Sequence, residues 1–237
     1  MQATTRSNGL TRLGAIALSA TLLSACTAGS STALADGGRA ESAQVTSLGP
    51  NESIDAVIRR HYPEGLPYAR IRRAGPAALA RLRAILNDPA ENEWWPNAVG
   101  AIGIIGGPDA SAALIGFIQA HSERALEPDT YRAALTAVAA LGYVAHGGDA
   151  RAIGFVADAA RRVNAPSAPA RDLRLAPSAI GVQAILALGI SGRPEARAVL
   201  EELQRSGDDA MRQRTAESLQ TLEQVAKAGL AAYLNRK

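Results

Sequence analysis

The sequence predicts an all-α fold, arranged as an α-solenoid of about four to five antiparallel helix pairs. Aromatic residues make up only 4% of the 237 residues, and this composition disfavours β-sandwiches and barrels. Apolar residues, 47% of the chain, recur at helical spacing from Asn51 onward. Similar helix beginnings return several times in the same region, which indicates an internal repeat.

The repeat is clearest where helices are expected to begin. A proline in the first turn of a helix needs no N–H partner, and an acidic neighbour suits the positive end of the helix dipole. The four predicted beginnings are Gly75-Pro76-Ala77-Ala78, Gly107-Pro108-Asp109-Ala110, Gly148-Asp149-Ala150 and Arg193-Pro194-Glu195-Ala196.

A second helix of each repeat is expected to end in a glycine. Its small residues let two helices approach closely, and glycine is a common helix stop. The three copies, 98–103, 137–142 and 184–189, end at Gly103, Gly142 and Gly189. One more such helix is expected to begin at Asp209, and residues 226–234 to close the stack.

This pattern resembles HEAT repeats, particularly the bacterial HEAT-like type also found in phycobilisome lyases. The resemblance covers about residues 66–237, and it implies a fold while saying almost nothing about activity. The period is irregular, the first helix near 68–73 is poorly defined, and the turn 165–177 is long. The residues that carry the resemblance are Leu141-Gly142, the segment 188–196 and Asp209-Ala210-Met211-Arg212.

The first 25 residues read as an export signal. Arg6 and Arg12 precede the apolar run 13–25, which is too short to span a bilayer. The run ends in Leu23-Ser24-Ala25-Cys26, and Cys26 is the only cysteine. This tetrapeptide resembles the lipobox of bacterial lipoproteins, which implies cleavage between Ala25 and Cys26 and lipid on Cys26. The alternative is an ordinary signal peptide whose cysteine stands there by chance.

The lipobox resemblance implies a cell-envelope protein held by membrane lipid through acylated Cys26. Thr27 then suggests the periplasmic face of the outer membrane in a Gram-negative host. Residues 26–50 are rich in Gly, Ser, Ala and Thr and predict a disordered tether before the repeat domain 51–237. Cleavage would remove two basic residues and no acidic one, so the formal charge of +3 gives no support for a nucleic-acid partner.

Motifs for catalysis, nucleotide binding or metal binding are missing from the sequence. The histidines, His61, His121 and His146, lack partners at metal-ligand spacing, so solvated or capping roles are expected for them. We therefore predict no enzyme activity, no cofactor and no metal. A lyase-like enzyme is the less favoured alternative, because an exported chain is in the wrong compartment for attaching bilins.

Two clusters are candidate contact sites. Trp94 and Trp95 form the densest aromatic site, and adjacent helical residues point about 100° apart, so one can pack inward and the other face outward. With Glu91 and Glu93 they are candidates for binding a protein, and a packing wedge is the alternative. The long turn 165–177 is a further candidate.

The second cluster is basic. Residues 59–83 contain seven arginines and one acid, whereas 88–129 are mainly acidic. Arg70, Arg72 and Arg73 are therefore candidates for contacting anionic lipid or peptidoglycan, and neighbouring salt bridges are the alternative. The leading hypothesis is a solenoid that binds another, unidentified envelope protein as adaptor or assembly factor. A tether acting through the basic first repeat is the alternative.

Overall fold

The structure, a computed structural model, describes residues 52–62, 65–122, 124–164 and 173–234, within the compact unit Val45–Lys237. These residues are mostly helical and contain no strand, so the all-α prediction is confirmed. The predicted signal peptide, Cys26 and the tether lie outside the described residues. The α-helices are α1 (Ile54–Ile58), α2 (Tyr68–Ala74), α3 (Leu79–Leu86), α4 (Trp95–Ile105), α5 (Pro108–Ala120), α6 (Pro128–His146), α7 (Ala150–Arg161), α8 (Pro177–Ser191), α9 (Pro194–Ser206), α10 (Asp209–Ala228) and α11 (Leu230–Leu234).

The predicted helix beginnings are confirmed. Helices α5 and α9 begin at Pro108 and Pro194, while Pro76 begins a short 3-10 turn that leads into α3. Before α7, the Asp149 carboxylate accepts a hydrogen bond from the backbone N–H of Ala152 at 2.8 Å. Helix α10 begins at Asp209 as expected. Local chemistry is sufficient to set these beginnings, because each depends on only a few consecutive residues.

The predicted helix ends at three glycines are wrong. Gly103, Gly142 and Gly189 lie inside α4, α6 and α8, each of which continues beyond its glycine. Each glycine instead lies where its helix touches the next one. A Cβ atom added there would overlap the neighbouring helix: at Gly103 it would lie 2.6 Å from Cβ of Ala140, at Gly142 2.6 Å from the carbonyl oxygen of Ala187, and at Gly189 2.7 Å from the carbonyl oxygen of Ser218.

The helices form two rows. Helices α4, α6, α8 and α10 make one row, which we call the inner row, and each packs on the next through the glycine contacts. Helices α3, α5, α7 and α9 make the other row, and each packs against the inner-row helix that follows it in sequence. The main hydrophobic core lies between the rows. At the ends, α1 and α2 pack against α4, and α11 contacts both α10 and α2.

Candidate functional site

Trp95 is a packing residue. Its side chain is only 7% exposed, and its indole N–H donates to the backbone carbonyl of Ile85 at 2.8 Å. The ring stands edge-on to Phe117 with 5.5 Å between centroids, and it is 5.7 Å from the ring of His121. Trp95 thereby joins α3, α4 and α5. This corrects its assignment as a candidate protein-binding residue, because the buried ring offers no surface to a partner.

Trp94 and the two glutamates lie on the 3-10 turn Pro89–Trp94 that leads into α4. Trp94 is half-buried and packs against the main core, while Glu93 is exposed. Glu91 is ion-paired with Arg59, so its charge is already matched within the chain. Of the four predicted protein contacts, Trp94 and Glu93 remain candidates, because Trp94 is only half-buried and Glu93 is exposed with no ion pair to another described residue.

Arg72 caps a helix. Its Nη1 donates to the backbone carbonyls of Ile104 at 3.2 Å and Ile105 at 3.0 Å, at the carboxyl end of α4. A cation at this end satisfies carbonyls that have no partner inside the helix and opposes the negative end of the helix dipole. The guanidinium is therefore engaged in the fold, which weakens the case for Arg72 as a contact for an anionic surface.

Arg60 and Arg70 pair with an acid that precedes the basic segment. Glu52 lies 2.8 Å from Nη2 of Arg60 and 3.3 Å from Nη1 of Arg70. Arg73 is exposed and forms no ion pair within the described part of the chain. Arg73 is thus the member of the predicted trio that still presents an unmatched charge there.

Asp55 binds the basic segment at a second point. Arg81 donates to both carboxylate oxygens, with Nε at 2.9 Å and 3.1 Å and Nη2 at 2.6 Å. These hydrogen bonds, with the charges of Arg81 and Arg59, hold the pKa of the Asp55 carboxyl below its usual value, although desolvation opposes them. The pairing joins α1 to α3 and neutralises much of the expected basic surface.

The histidines occupy three different settings. His61 is exposed. His121 is 8% exposed at the end of α5, where Nδ1 lies 2.8 Å from the carbonyl of Phe117, and burial lowers the pKa of its imidazole. Nδ1 of His146 lies 2.9 Å from the carbonyl of Ser191 at the end of α8. Among the described side chains, no three histidines or acids come together as a metal site.

An open cleft of about 280 Å³ lies between the beginnings of α8 and α10. The Asp208 carboxylate in it accepts from the N–H of Met211 at 2.8 Å, and so already serves as the helix cap of α10. Most of the predicted contact turn, residues 165–172, lies outside the described residues. The lining residues of the cleft are Val163, Asn164, Ser178, Ala179, Val182, Asp208, Ala210, Met211 and Arg214.

The surface that sequence reasoning missed lies on the inner row. Ala139 and Leu186 each directly precede the small residue that touches a glycine of the neighbouring helix, and both keep accessible surface. Leu186 is 43% exposed, although it lies in the middle of an apolar helix. We call five of the accessible apolar side chains of α6 and α8, which follow one another at four-residue spacing along each helix, the inner-row stripe. They are Tyr131, Leu135, Ala139, Val182 and Leu186.

The inner-row stripe is bounded differently on its two sides. On α4, a Cβ added at Gly100 would lie 2.7 Å from Cδ1 of Leu66, so the segment before α2 covers that helix. On α10, the residue that corresponds to Ala139 and Leu186 is the exposed Glu217, which directly precedes Ser218. The sequence signal that would have found Ala139 and Leu186 is their position, one residue before the small residue that packs on a glycine of the neighbouring helix.

Comparison with known proteins gives no identification. No protein-family model, no curated protein and no solved structure matches the chain. Among the helices that the structure describes, none combines the length and hydropathy needed to cross a bilayer. The functional argument therefore rests on the geometry of this chain.

Proposed function

We propose that the protein is a lipid-anchored envelope lipoprotein whose HEAT-like α-solenoid binds another envelope protein as adaptor or assembly factor. The two rows of helices, with the same glycine contact at each step of the inner row, support the solenoid part of this proposal. Close backbone contacts make such an array rigid, and a rigid surface loses little conformational entropy when it binds. The lipid anchor rests on the Leu23-Ser24-Ala25-Cys26 motif.

The observation that carries the binding function is the inner-row stripe. Leu135 and Ala139 lie on α6, and Val182 and Leu186 lie on the neighbouring helix α8. Leu135 and Val182 are partly buried against the main core, whereas Leu186 is 43% exposed. Each of these side chains keeps some accessible surface in a row whose other apolar side chains are largely buried. A contiguous apolar surface on a folded protein commonly marks a site of interaction.

The charges beside the stripe favour a protein over an anionic membrane. Arg132 and Asp129 form an ion pair at one edge, and the exposed Arg214 and Glu217 lie on α10 at the other. An apolar centre with a rim of both charge signs is typical of protein interfaces. Anionic lipid instead attracts clusters of cations.

The tether acting through the basic first repeat ranks second. Arg59, Arg60, Arg70 and Arg81 are paired with acids, and Arg72 caps α4. Arg73 and Arg83 are exposed and form no ion pair within the described part of the chain, so they would have to supply most of that contact. Each exposed arginine contributes only about 1 kcal/mol to binding an anionic surface.

The proposal is tested by placing a photo-crosslinking amino acid at Leu186 in the full chain in its host. The matched control carries the same amino acid at Ala198, an exposed position on α9 in the other row. We expect a discrete protein adduct at 186 and not at 198. Adding Leu135→Glu should abolish the adduct, because it places a charge in the middle of the stripe.

Three outcomes contradict the proposal. The first is the same adduct at both positions, and the second is an adduct at 186 that contains only lipid. The third is an adduct that survives Leu135→Glu. If the adduct is lost with Trp94→Ala and not with Leu135→Glu, the contact lies at the 3-10 turn that the sequence analysis favoured.

A further inference from the structure

The second and the last helix of the described fold, α2 and α11, meet. Helix α11 follows α10 after Gly229, whose φ of +79° turns the chain back, and it contacts α2 as well as α10. Ile190, Val225 and Leu230 form a buried cluster separate from the main core. The side chains that pack around this second cluster are Tyr68, Tyr143, Tyr233 and Leu234.

The second cluster covers the carboxyl ends of inner-row helices. Ile190 and Val225 lie near the ends of α8 and α10, and Tyr143 lies near the end of α6. Burial raises the pKa of the Tyr143 phenol, with smaller contributions from Tyr233 and Tyr68, so the three phenols lie close together. Helix α2 arrives from the opposite side and places Arg72 on the end of α4.

Little buried surface holds α11 in place. It has five residues, and a helix of that length is not stable alone. Leu230 is its only fully buried side chain, while Ala231 and Ala232 are exposed. A Cβ added at Gly229 would meet nothing within 4 Å, so space around this turn is open.

Helix α2 has a similarly small share of the core. It has seven residues, and Ile71 is its one buried side chain. Its remaining support comes from the Arg72 contacts with α4, the ion pair of Arg70 with Glu52, and Tyr68, which packs against both the main core and the second cluster. Elements with few buried apolar contacts open at a lower free-energy cost than the core that they cover.

We propose that α11 is a latch that holds α2 against the inner row. When α11 detaches at Gly229, Ile190 and Val225 become accessible and Tyr68 of α2 loses the part of its packing that the second cluster supplies. The latch thereby couples the last described helix to α2, near the beginning of the described fold. It goes beyond the proposed binding function and does not depend on a partner at the inner-row stripe.

Hydrogen exchange followed by mass spectrometry tests the latch on the full chain. The variants are a stop codon at Gly229, which removes α11, and Tyr233→Ala. The matched control is Tyr131→Ala, a half-buried tyrosine outside the second cluster. Both latch variants should speed exchange in 68–74 by about tenfold or more, while α5 and α7 exchange as in the wild type. The control should leave 68–74 unchanged.

The proposal is overturned if 68–74 keeps its wild-type exchange after α11 is removed. It is equally overturned if all helices exchange faster together, because α11 would then belong to one cooperative core. If the truncated chain fails to fold, the exchange rate of 68–74 in Tyr233→Ala and Gly229→Val tests the latch instead. Gly229→Val strains the turn at positive φ while leaving the side chains of the second cluster in place, and it should also speed exchange in 68–74.

Discussion

Replacing Gly142 with alanine tests the glycine contacts on which the packing of the inner row depends. The added Cβ would lie 2.6 Å from the carbonyl oxygen of Ala187 and 2.9 Å from its Cα. Both atoms belong to the backbone of α8, so no side chain can rotate away to make room. Ordinary contact begins near 3.4 Å, and α6 and α8 would therefore have to separate by the difference, about 0.8 Å.

Two opposing effects set the magnitude. Overpacking costs about 1–3 kcal/mol, and we expect the upper end because the obstructing atoms are backbone and the inner row is packed on both sides of α6. Alanine is better than glycine inside a helix by about 1 kcal/mol, which offsets part of this cost. The net loss in the free energy of unfolding should be about 2 kcal/mol, or about 4–8 °C in Tm for a chain of this size.

The matched control is Gly154→Ala in α7. Gly154 is also a helical glycine, and it is exposed with nothing within 4 Å of an added Cβ. Only the higher helix propensity of alanine over glycine should act there, without any overlap. We expect it to raise the free energy of unfolding by about 0.5–1 kcal/mol. Urea unfolding followed by circular dichroism measures both variants. The reasoning is refuted if Gly142→Ala is as stable as the wild type, or if both variants are destabilised alike.

Four further changes have expected outcomes. Cys26→Ser should move the protein from the membrane fraction to the soluble fraction with its helical circular dichroism unchanged, and continued firm membrane binding would contradict the lipobox interpretation. Trp95→Phe should lower the free energy of unfolding by about 1 kcal/mol in urea, because the carbonyl of Ile85 loses the indole donor and keeps only backbone donors such as the N–H of Asp88 at 3.1 Å. A neutral effect would contradict that role. Burial lowers the pKa of the His121 imidazole below the usual 6.5, so the unfolded state binds a proton more readily than the folded state. The free energy of unfolding should therefore be highest above about pH 6.5 and should fall as the pH is lowered below it. His121→Asn should reduce this pH-dependent loss of stability. Pairing with Arg81 lowers the pKa of the Asp55 carboxyl from the usual 3.8. The stability that this carboxylate contributes should be present above that pH and should disappear as the pH falls through the pKa of the folded state. Asp55→Asn should remove this loss in acid titrations followed by circular dichroism.

The beginnings of the helices could be predicted because their signals are local. Pro108, Asp149 and Pro194 act on the backbone within one turn, and no distant residue is needed to interpret them. The helix ends at Gly142 and Gly189 could not be predicted in the same way. A glycine within a helical pattern is compatible with a stop or with a close contact, and the choice depends on which backbone faces it.

The candidate sites were predicted less well than the fold because charge and aromaticity do not reveal partners. Counting arginines in 59–83 leaves out Glu52 and Asp55, which precede the segment and pair with it in the fold. The Trp94-Trp95 pair allowed one inward and one outward ring, but helical geometry alone did not say which. The buried hydrogen bond to Ile85 decided that Trp95 is the inward one.

By itself, the sequence determined the helical class, the positions at which helices begin, and the repeated small residues that permit close packing. Each of these depends on neighbours within a few residues along the chain. Only the tertiary structure decided which apolar residues remain accessible: Leu186 is 43% exposed and Leu188 is fully buried, although both lie in the same apolar helix. Because α8 is apolar almost all around, its periodicity does not mark an outer face, and contacts with α6, α7 and α10 determine which side chains are covered.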